Sequence, residues 1–231
     1  VATAAFERLD SDTGVTELVR EGQHVAAGTK LAQVEGSLRS VLAAERVALN
    51  LLQRACGIAT LTRRCVDLVE GSGVHVLDTR KTAPGLRALD KRAVRAGGGT
   101  NHRHALDDMV LIKDNHIAAV ASLRVAVERA LAGAGRLLVE VEVDSLTALD
   151  GLLALEHLPH AVLLDNFTPE DVREAVRRVA GRLYVEVSGG VTLETLAAYA
   201  KARPDGISLG ALTHSVKASD IALDMERGRC A

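Results

Sequence analysis

Six short apolar runs, each followed by a stretch of helical character, constrain this chain more than any other feature. After the Gly-Ser-Gly at 71–73 the runs are VHVLD (74–78), MVLIK (109–113), LLVEVEV (137–143), AVLLD (161–165), LYVEV (183–187) and GISL (206–209). Amphipathic segments lie between them near 86–96, 117–131, 145–155, 169–180 and 192–201. Thr168-Pro169 reads as a cap followed by proline in the first helical turn, and Thr192 with Glu194 as a weaker start. Strands joined through helices are parallel, and parallel strands need helices covering their sheet. An open doubly wound sheet and a barrel both satisfy that grammar. The barrel is favoured because ionisable or glycine-rich residues follow nearly every run, and closure would gather them at one mouth. The expectation is therefore an α/β fold with a barrel of about six strands over residues 56–231.

Residues 1–55 read differently. VTELVREGQHVAAGTKLAQVE at 15–35 carries a hairpin signal around Gly22 and Gly28. A similar pattern flanks the modified lysine of biotinyl and lipoyl carriers, for which Lys30 is the only nearby candidate. A carrier also needs a second, symmetry-related hairpin, whereas the sequence turns helical from Ser37, with Leu38, Val41, Leu42, Leu49 and Leu52 at helical spacing. Gly57 is expected to separate this helix from a second one ending near Val69.

The electrostatic interest is local, because the net charge is only -2 and gives no general attraction to nucleic acid or membrane. The 2% aromatic content also disfavours recognition by base stacking. Cys56, Cys65 and Cys230 leave an odd thiol without close metal-ligand spacing, which fits a reducing cytoplasm and a core or tail role. No apolar run approaches membrane-spanning length, and the first residues lack a signal-peptide pattern. A cytoplasmic protein is expected.

Between Asp78 and His116 the cations concentrate on loops. Strand 74–78 runs into Thr79-Arg80-Lys81-Thr82, the next loop is Gly97-Gly98-Gly99-Thr100-Asn101-His102-Arg103-His104, and strand 109–113 ends in Lys113-Asp114-Asn115-His116. Arginine offers a planar fork and lysine a point charge, so a small molecule with several negative groups would use both. Arg87, Lys91, Arg92 and Arg95 lie on a helix and are expected to face mostly solvent. Glu140 and Glu142 alternate onto one face of their strand. Glu140 suits an interior salt bridge with a lysine, while Glu142 and Asp165 suit Mg²⁺, ribose hydroxyls or a developing positive charge. Ser188-Gly189-Gly190 and the loop from Gly210 to His214 follow the last two strands, where barrels commonly bind phosphate.

The ordered set AERVALNLLQRACGIAT, LDTRKTAPGLR, GGGTNHR, LIKDNH, VEVEVDS, LLDNF, VSGGV and LGALTHS resembles the carboxylating nicotinate-nucleotide pyrophosphorylases, or quinolinate phosphoribosyltransferases, over nearly the whole chain. The resemblance implies an incomplete TIM-like α/β barrel, an α/β N-terminal domain that is only partial over residues 1–55, and a homodimer with sites shared across its interface. It implies transfer of phosphoribose from phosphoribosyl pyrophosphate to quinolinate with Mg²⁺ and loss of CO₂, a step of de novo NAD biosynthesis. By motif, Arg46 would reach the neighbouring subunit's site. Arg80, Lys81, His102, Arg103 and Lys113 would surround the dicarboxylate and pyrophosphate. Glu142 and Asp165 would contact ribose or metal, and Ser188, Gly189, Gly190, Gly210 and His214 would bind phosphate. Lys81, Lys113, Glu142 and Asp165 are the expected catalytic group. A relative acting on another anionic ring, such as the molybdenum-transport-associated proteins, and a non-catalytic assembly subunit are the alternatives.

Overall fold

The computed structural model describes residues 2–120 and 122–225. A first helix, α1 (Ala2–Leu9), precedes an antiparallel pair, β1 (Gly14–Glu17) and β2 (Ala32–Glu35). Helix α2 (Leu38–Leu68) follows, starting where Ser37 Oγ accepts the Ser40 N–H at 3.1 Å. The expected break at Gly57 does not occur: α2 runs 31 residues without interruption. The glycine serves close approach instead. A Cβ there would stand 2.2 Å from the Lys217 carbonyl oxygen, because the segment after the last strand lies directly on the helix. That segment is tied by Gln53 Nε2 donating to Ile221 O at 2.7 Å and Ser219 N–H donating to Gln53 O at 3.0 Å. Leu223 then packs on the small cluster of Phe6, Val41, Ala44 and Ala48.

The remaining order is β3 (His75–Leu77), α3 (Arg87–Ala96), β4 (Val110–Ile112), α4 (Asp114–Val120), α5 (Leu123–Gly133), β5 (Val139–Val143), α6 (Leu146–Leu153), β6 (Ala161–Asp165), α7 (Pro169–Val179), β7 (Tyr184–Ser188), α8 (Leu193–Lys201), β8 (Gly206–Ser208) and α9 (Ala211–His214). All six apolar runs form strands. The stretch near 117–131 is two helices rather than one, because Ser122 caps the second by accepting the Val125 N–H.

The six strands make one parallel sheet in the order β3-β8-β7-β6-β5-β4. The first strand thus lies beside the last, while β4 to β8 follow one another in sequence. That circular order belongs to a barrel, broken only between β3 and β4. The segment around Thr100 lies against β3, through Thr100 N–H to Val76 O at 2.8 Å and Asp78 N–H to Thr100 O at 3.2 Å. The fold is an incomplete TIM-like α/β barrel beside a small antiparallel sheet. Among the described residues, no helix is long and apolar enough to cross a membrane.

Strand alternation decides which side chains enter the barrel. Val139, Val141, Val143, Val162, Leu164, Val185, Val187 and Ile207 pack with the helices in one hydrophobic core. The opposite face carries Leu111 beside Glu140, and Leu163 beside both Glu142 and Glu186. Asp165 stands beside Ser188. Residues two apart share a face, so Lys113, Glu142, Asp165 and Ser188 fall together at the C-terminal end of the barrel.

Candidate active site

At that mouth, Lys113 Nζ donates to Glu142 Oε2, as expected from the register that sets Leu111 beside Glu140. Asp165 Oδ2 accepts from Asn166 Nδ2 at 2.8 Å. A Cβ at Gly189 would stand 2.2 Å from Asn166 Oδ1 and 2.9 Å from Asp165 Oδ1, and its φ of +85° is one that L side chains rarely adopt. Glycine there lets the β7–α8 turn close over the end of β6. Ser188 is half-buried and Gly190 faces open space.

A second grouping forms where β3 meets β8. Thr213 Oγ1 donates to Lys81 O at 2.8 Å. The space where a Gly210 Cβ would stand is bounded by the His214 ring at 3.0 Å and Lys81 Cδ at 3.1 Å. Arg54 of α2 supports this corner, donating from Nη2 to Thr213 O at 2.7 Å and forming a two-pronged pair with Asp90 of α3. Lys81, Gly210 and His214, distant in sequence, are therefore neighbours.

The third grouping is cationic. Burial lowers the Arg103 pKa first, and the nearby Arg80 charge lowers it further. Arg80 Nη1 donates to Ala105 O at 3.4 Å and Arg103 Nη1 to Met109 O at 3.5 Å. Among the described residues neither guanidinium has an ion-pair partner. Two close, half-buried guanidiniums repel each other and gain from a bound anion. Beside them, Thr82, Ala83, Pro84, Gly85, Arg87, Ala88 and His104 line a hollow of about 570 Å³.

Two sequence expectations change here. Lys91 does not face solvent: it is buried and ion-paired with the equally buried Asp78, and it also donates to His102 O at 2.9 Å. Asp78 follows the inward Leu77 and so turns outward, where α3 supplies the lysine. It also accepts from Asn101 Nδ2 at 2.5 Å and from the His102 N–H at 2.9 Å. Burial raises its pKa, with the Lys91 and Asn101 contacts opposing. Among the described residues, Glu140 pairs with a histidine rather than a lysine. His102 Nε2 lies 3.1 Å from Glu140 Oε2 and 3.3 Å from Glu186 Oε2.

Glu186, Asn166 and Asp78 are site-building residues that the sequence reading passed over. The signal for Glu186 was present in LYVEV, which places it two residues before Ser188 and on the same face. Both ring nitrogens of His102 are engaged, since the Arg103 N–H points at Nδ1 at 2.7 Å. Burial lowers the His102 pKa and the two carboxylates outweigh it, pulling the ring upward. A second ring proton would set two N–H groups head to head across the Arg103 contact. Burial also pushes the Glu140 carboxyl upward, with the His102 contact opposing.

Among the described residues, no hydrogen bond or ion pair joins Arg46 to the residues of this mouth. Arg46 lies exposed on α2, beside Glu45 at 3.5 Å. Among the described residues, His102, Glu140 and Glu186 form the group with metal-ligand spacing, their ligand atoms within 4.8 Å of one another; Glu142 and Asp165 are not part of it.

Paired guanidiniums, a paired lysine and carboxylate, and glycine turns at one mouth of an incomplete barrel have the chemistry that a polyanionic small molecule would require. The sequence pattern described as "Quinolinate phosphoribosyl transferase, C-terminal domain" matches residues 58–224, and that described as the N-terminal domain of the same family matches residues 1–56. The chain belongs to the quinolinate phosphoribosyltransferase family. It is 49% identical to the nicotinate-nucleotide pyrophosphorylase [carboxylating] of Mycobacterium leprae, over 90% of this chain and 73% of that protein. It is 40% identical to the nicotinate-nucleotide pyrophosphorylase structure from Francisella tularensis, with a TM-score of 0.90 over 95% of this chain and 78% of that one. The enzyme from Ehrlichia chaffeensis superposes with a TM-score of 0.91 at 36% identity, over 96% and 80% of the two chains.

Proposed function

We propose that this protein transfers phosphoribose from phosphoribosyl pyrophosphate to quinolinate with decarboxylation, giving nicotinate mononucleotide, pyrophosphate and CO₂ in de novo NAD biosynthesis. The observation that carries this reading is the pair Arg80 and Arg103, charged, adjacent and without carboxylate partners among the described residues. Quinolinate brings two carboxylates to such a wall, and Lys81 and Lys113 add point charges for the pyrophosphate. The turn Ser188-Gly189-Gly190, ahead of α8, and the corner of Gly210 and His214 hold the phosphate of the ribose.

Displacement of pyrophosphate leaves positive character at the ribose C1, which the Glu142 and Asp165 carboxylates stabilise across the mouth. Lys113, donating to Glu142 Oε2, aims that carboxylate. Once its nitrogen is glycosylated, the ring accepts the electron pair released as the 2-carboxylate departs as CO₂, and C2 takes up a proton. Two carboxylates at the same end of neighbouring strands are oxygen donors suited to Mg²⁺, and Glu142 and Asp165 would hold it. When bound, it would supply charge neutralisation to the departing pyrophosphate. Residues 1–55 serve in the N-terminal domain and 56–231 as the transfer domain. The working form is a cytoplasmic homodimer, with Arg46 of one chain completing the other's site.

Release of CO₂ that requires both quinolinate and phosphoribosyl pyrophosphate tests this function. Lys113→Ala should reduce it by about a hundredfold or more, as for other groups that stabilise developing charge. Equal turnover of quinolinate and nicotinate would sink the assignment, because a wall of paired cations should reject the monoacid.

A further inference from the structure

The barrel interior holds two carboxylates that this chemistry does not use. Glu140 on β5 and Glu186 on β7 are buried, stand on strands separated by β6, and converge on the single atom His102 Nε2. Glu186 Oε1 is buried without a hydrogen-bond partner. Such groups cost stability where an apolar pair would pack without penalty. Three convergent donors have the composition of a metal site, but the far side of the ring argues otherwise. The Arg103 N–H, 2.7 Å from Nδ1, requires the lone pair there. The ring proton then occupies Nε2, where a metal would need a lone pair.

We propose that Glu186, acting with Glu140, is a positioning residue of the substrate site. It holds the His102 ring, and through the ring it fixes the backbone from which Arg103 projects. The contacts run from carboxylate to Nε2–H, across the rigid imidazole, and from Nδ1 to the Arg103 N–H. The His102 backbone N–H is tied separately to Asp78 Oδ1 at 2.9 Å. The loop filling the open side of the barrel is thus anchored to its interior at one point and to its outer layer at another. Among the described residues Arg103 has no ion-pair partner and its guanidinium makes one long contact, to Met109 O at 3.5 Å, so its aim depends chiefly on that backbone. Glu186 should accordingly govern recognition of the anionic ring and leave the phosphoribose end untouched. This inference rests on the proposed quinolinate activity for its kinetic test alone.

Steady-state kinetics of Glu186→Leu and Glu186→Gln separate positioning from general stability. Loss of the ring contact in Glu186→Leu should raise KM for quinolinate about tenfold, while KM for phosphoribosyl pyrophosphate and kcat stay within about twofold. Glu186→Gln, whose amide oxygen can still stand against Nε2–H where Glu186 Oε2 lies at 3.3 Å, should recover most of the loss. Unchanged constants in Glu186→Leu, or equal rises for both substrates, would overturn the proposal. Nitrogen NMR of His102 in the unmodified protein decides the same question without activity or a folded variant. A signal from unprotonated Nδ1 and protonated Nε2, unmoved by Zn²⁺ alone, supports the spacer, whereas a protonated Nδ1 or a shift on adding Zn²⁺ overturns it. A folded chain with no CO₂ release would defeat the functional reading while the ring signal still tested the spacer.

Discussion

Lys91 shows how far a single side chain departs from its sequence neighbourhood. It stands in a run of basic residues on α3, of which Arg92 is exposed and paired with Glu21 of the β1–β2 connection. Lys91 instead points at Asp78, thirteen residues earlier, and both are almost fully buried. A partner that distant leaves no mark on helical periodicity, and for that reason its burial was not legible. Lys91→Ala would strand a buried carboxylate and should destabilise the protein by roughly 3–5 kcal/mol, read from urea unfolding. The inward glutamates were easier to read, since alternation alone puts Glu140 and Glu142 on one face. Their partners were not, because they come from other elements. Burial pushes the Cys65 thiol up to about 11. Iodoacetamide at pH 8 should leave Cys65 unmodified in the folded protein, as intact mass and peptide mapping would show, and label it once the chain is unfolded.

Among the elements, the strands were the most legible. Their apolar runs are short, their ends carry charges or glycine, and each lies within two residues of its expected place. Helix α2 was read less well because an interior glycine marks either a break or a close contact. Here the contact is with Lys217, and the helix continues. Gly57→Ala should therefore destabilise by about 1–3 kcal/mol through overpacking, outweighing a helix-propensity gain of up to about 1 kcal/mol. Thermal unfolding would measure the difference. The same substitution should loosen the 216–223 segment, seen as faster amide hydrogen exchange at Ser219, whose N–H bonds to Gln53. The β7–α8 turn offers a sharper test of conformation. Gly189→Ala meets both a positive φ and the Asn166 side chain, and should weaken phosphoribosyl pyrophosphate binding more than quinolinate binding, as separate KM values would reveal.

At the level of the molecule, the strand-helix alternation served an open sheet and a barrel equally. The pairing of β3 with β8 decides between them, and pairing between ends of a chain is a tertiary fact that local pattern does not contain. The proposed assembly has support on α2, where Leu38 and Leu42, at successive turns of the stripe that also carries Arg46, are 59% and 52% exposed. Apolar residues grouped this way suit burial against another chain. Sedimentation should give a dimer, and mixing Arg46→Ala with Lys113→Ala subunits should restore activity that neither has alone. Failure to restore it would count against shared sites. The gap between β3 and β4 bears on how such enzymes diversify. Because no strand pair crosses that gap, residues 104–108 can lengthen, shorten or change sequence without shifting any register, while Gly97 and Gly99, packed on α2, and the anchored His102 stay in place. Selection can therefore revise what the cationic wall recognises while the carboxylates and glycine turns on the far strands keep their places.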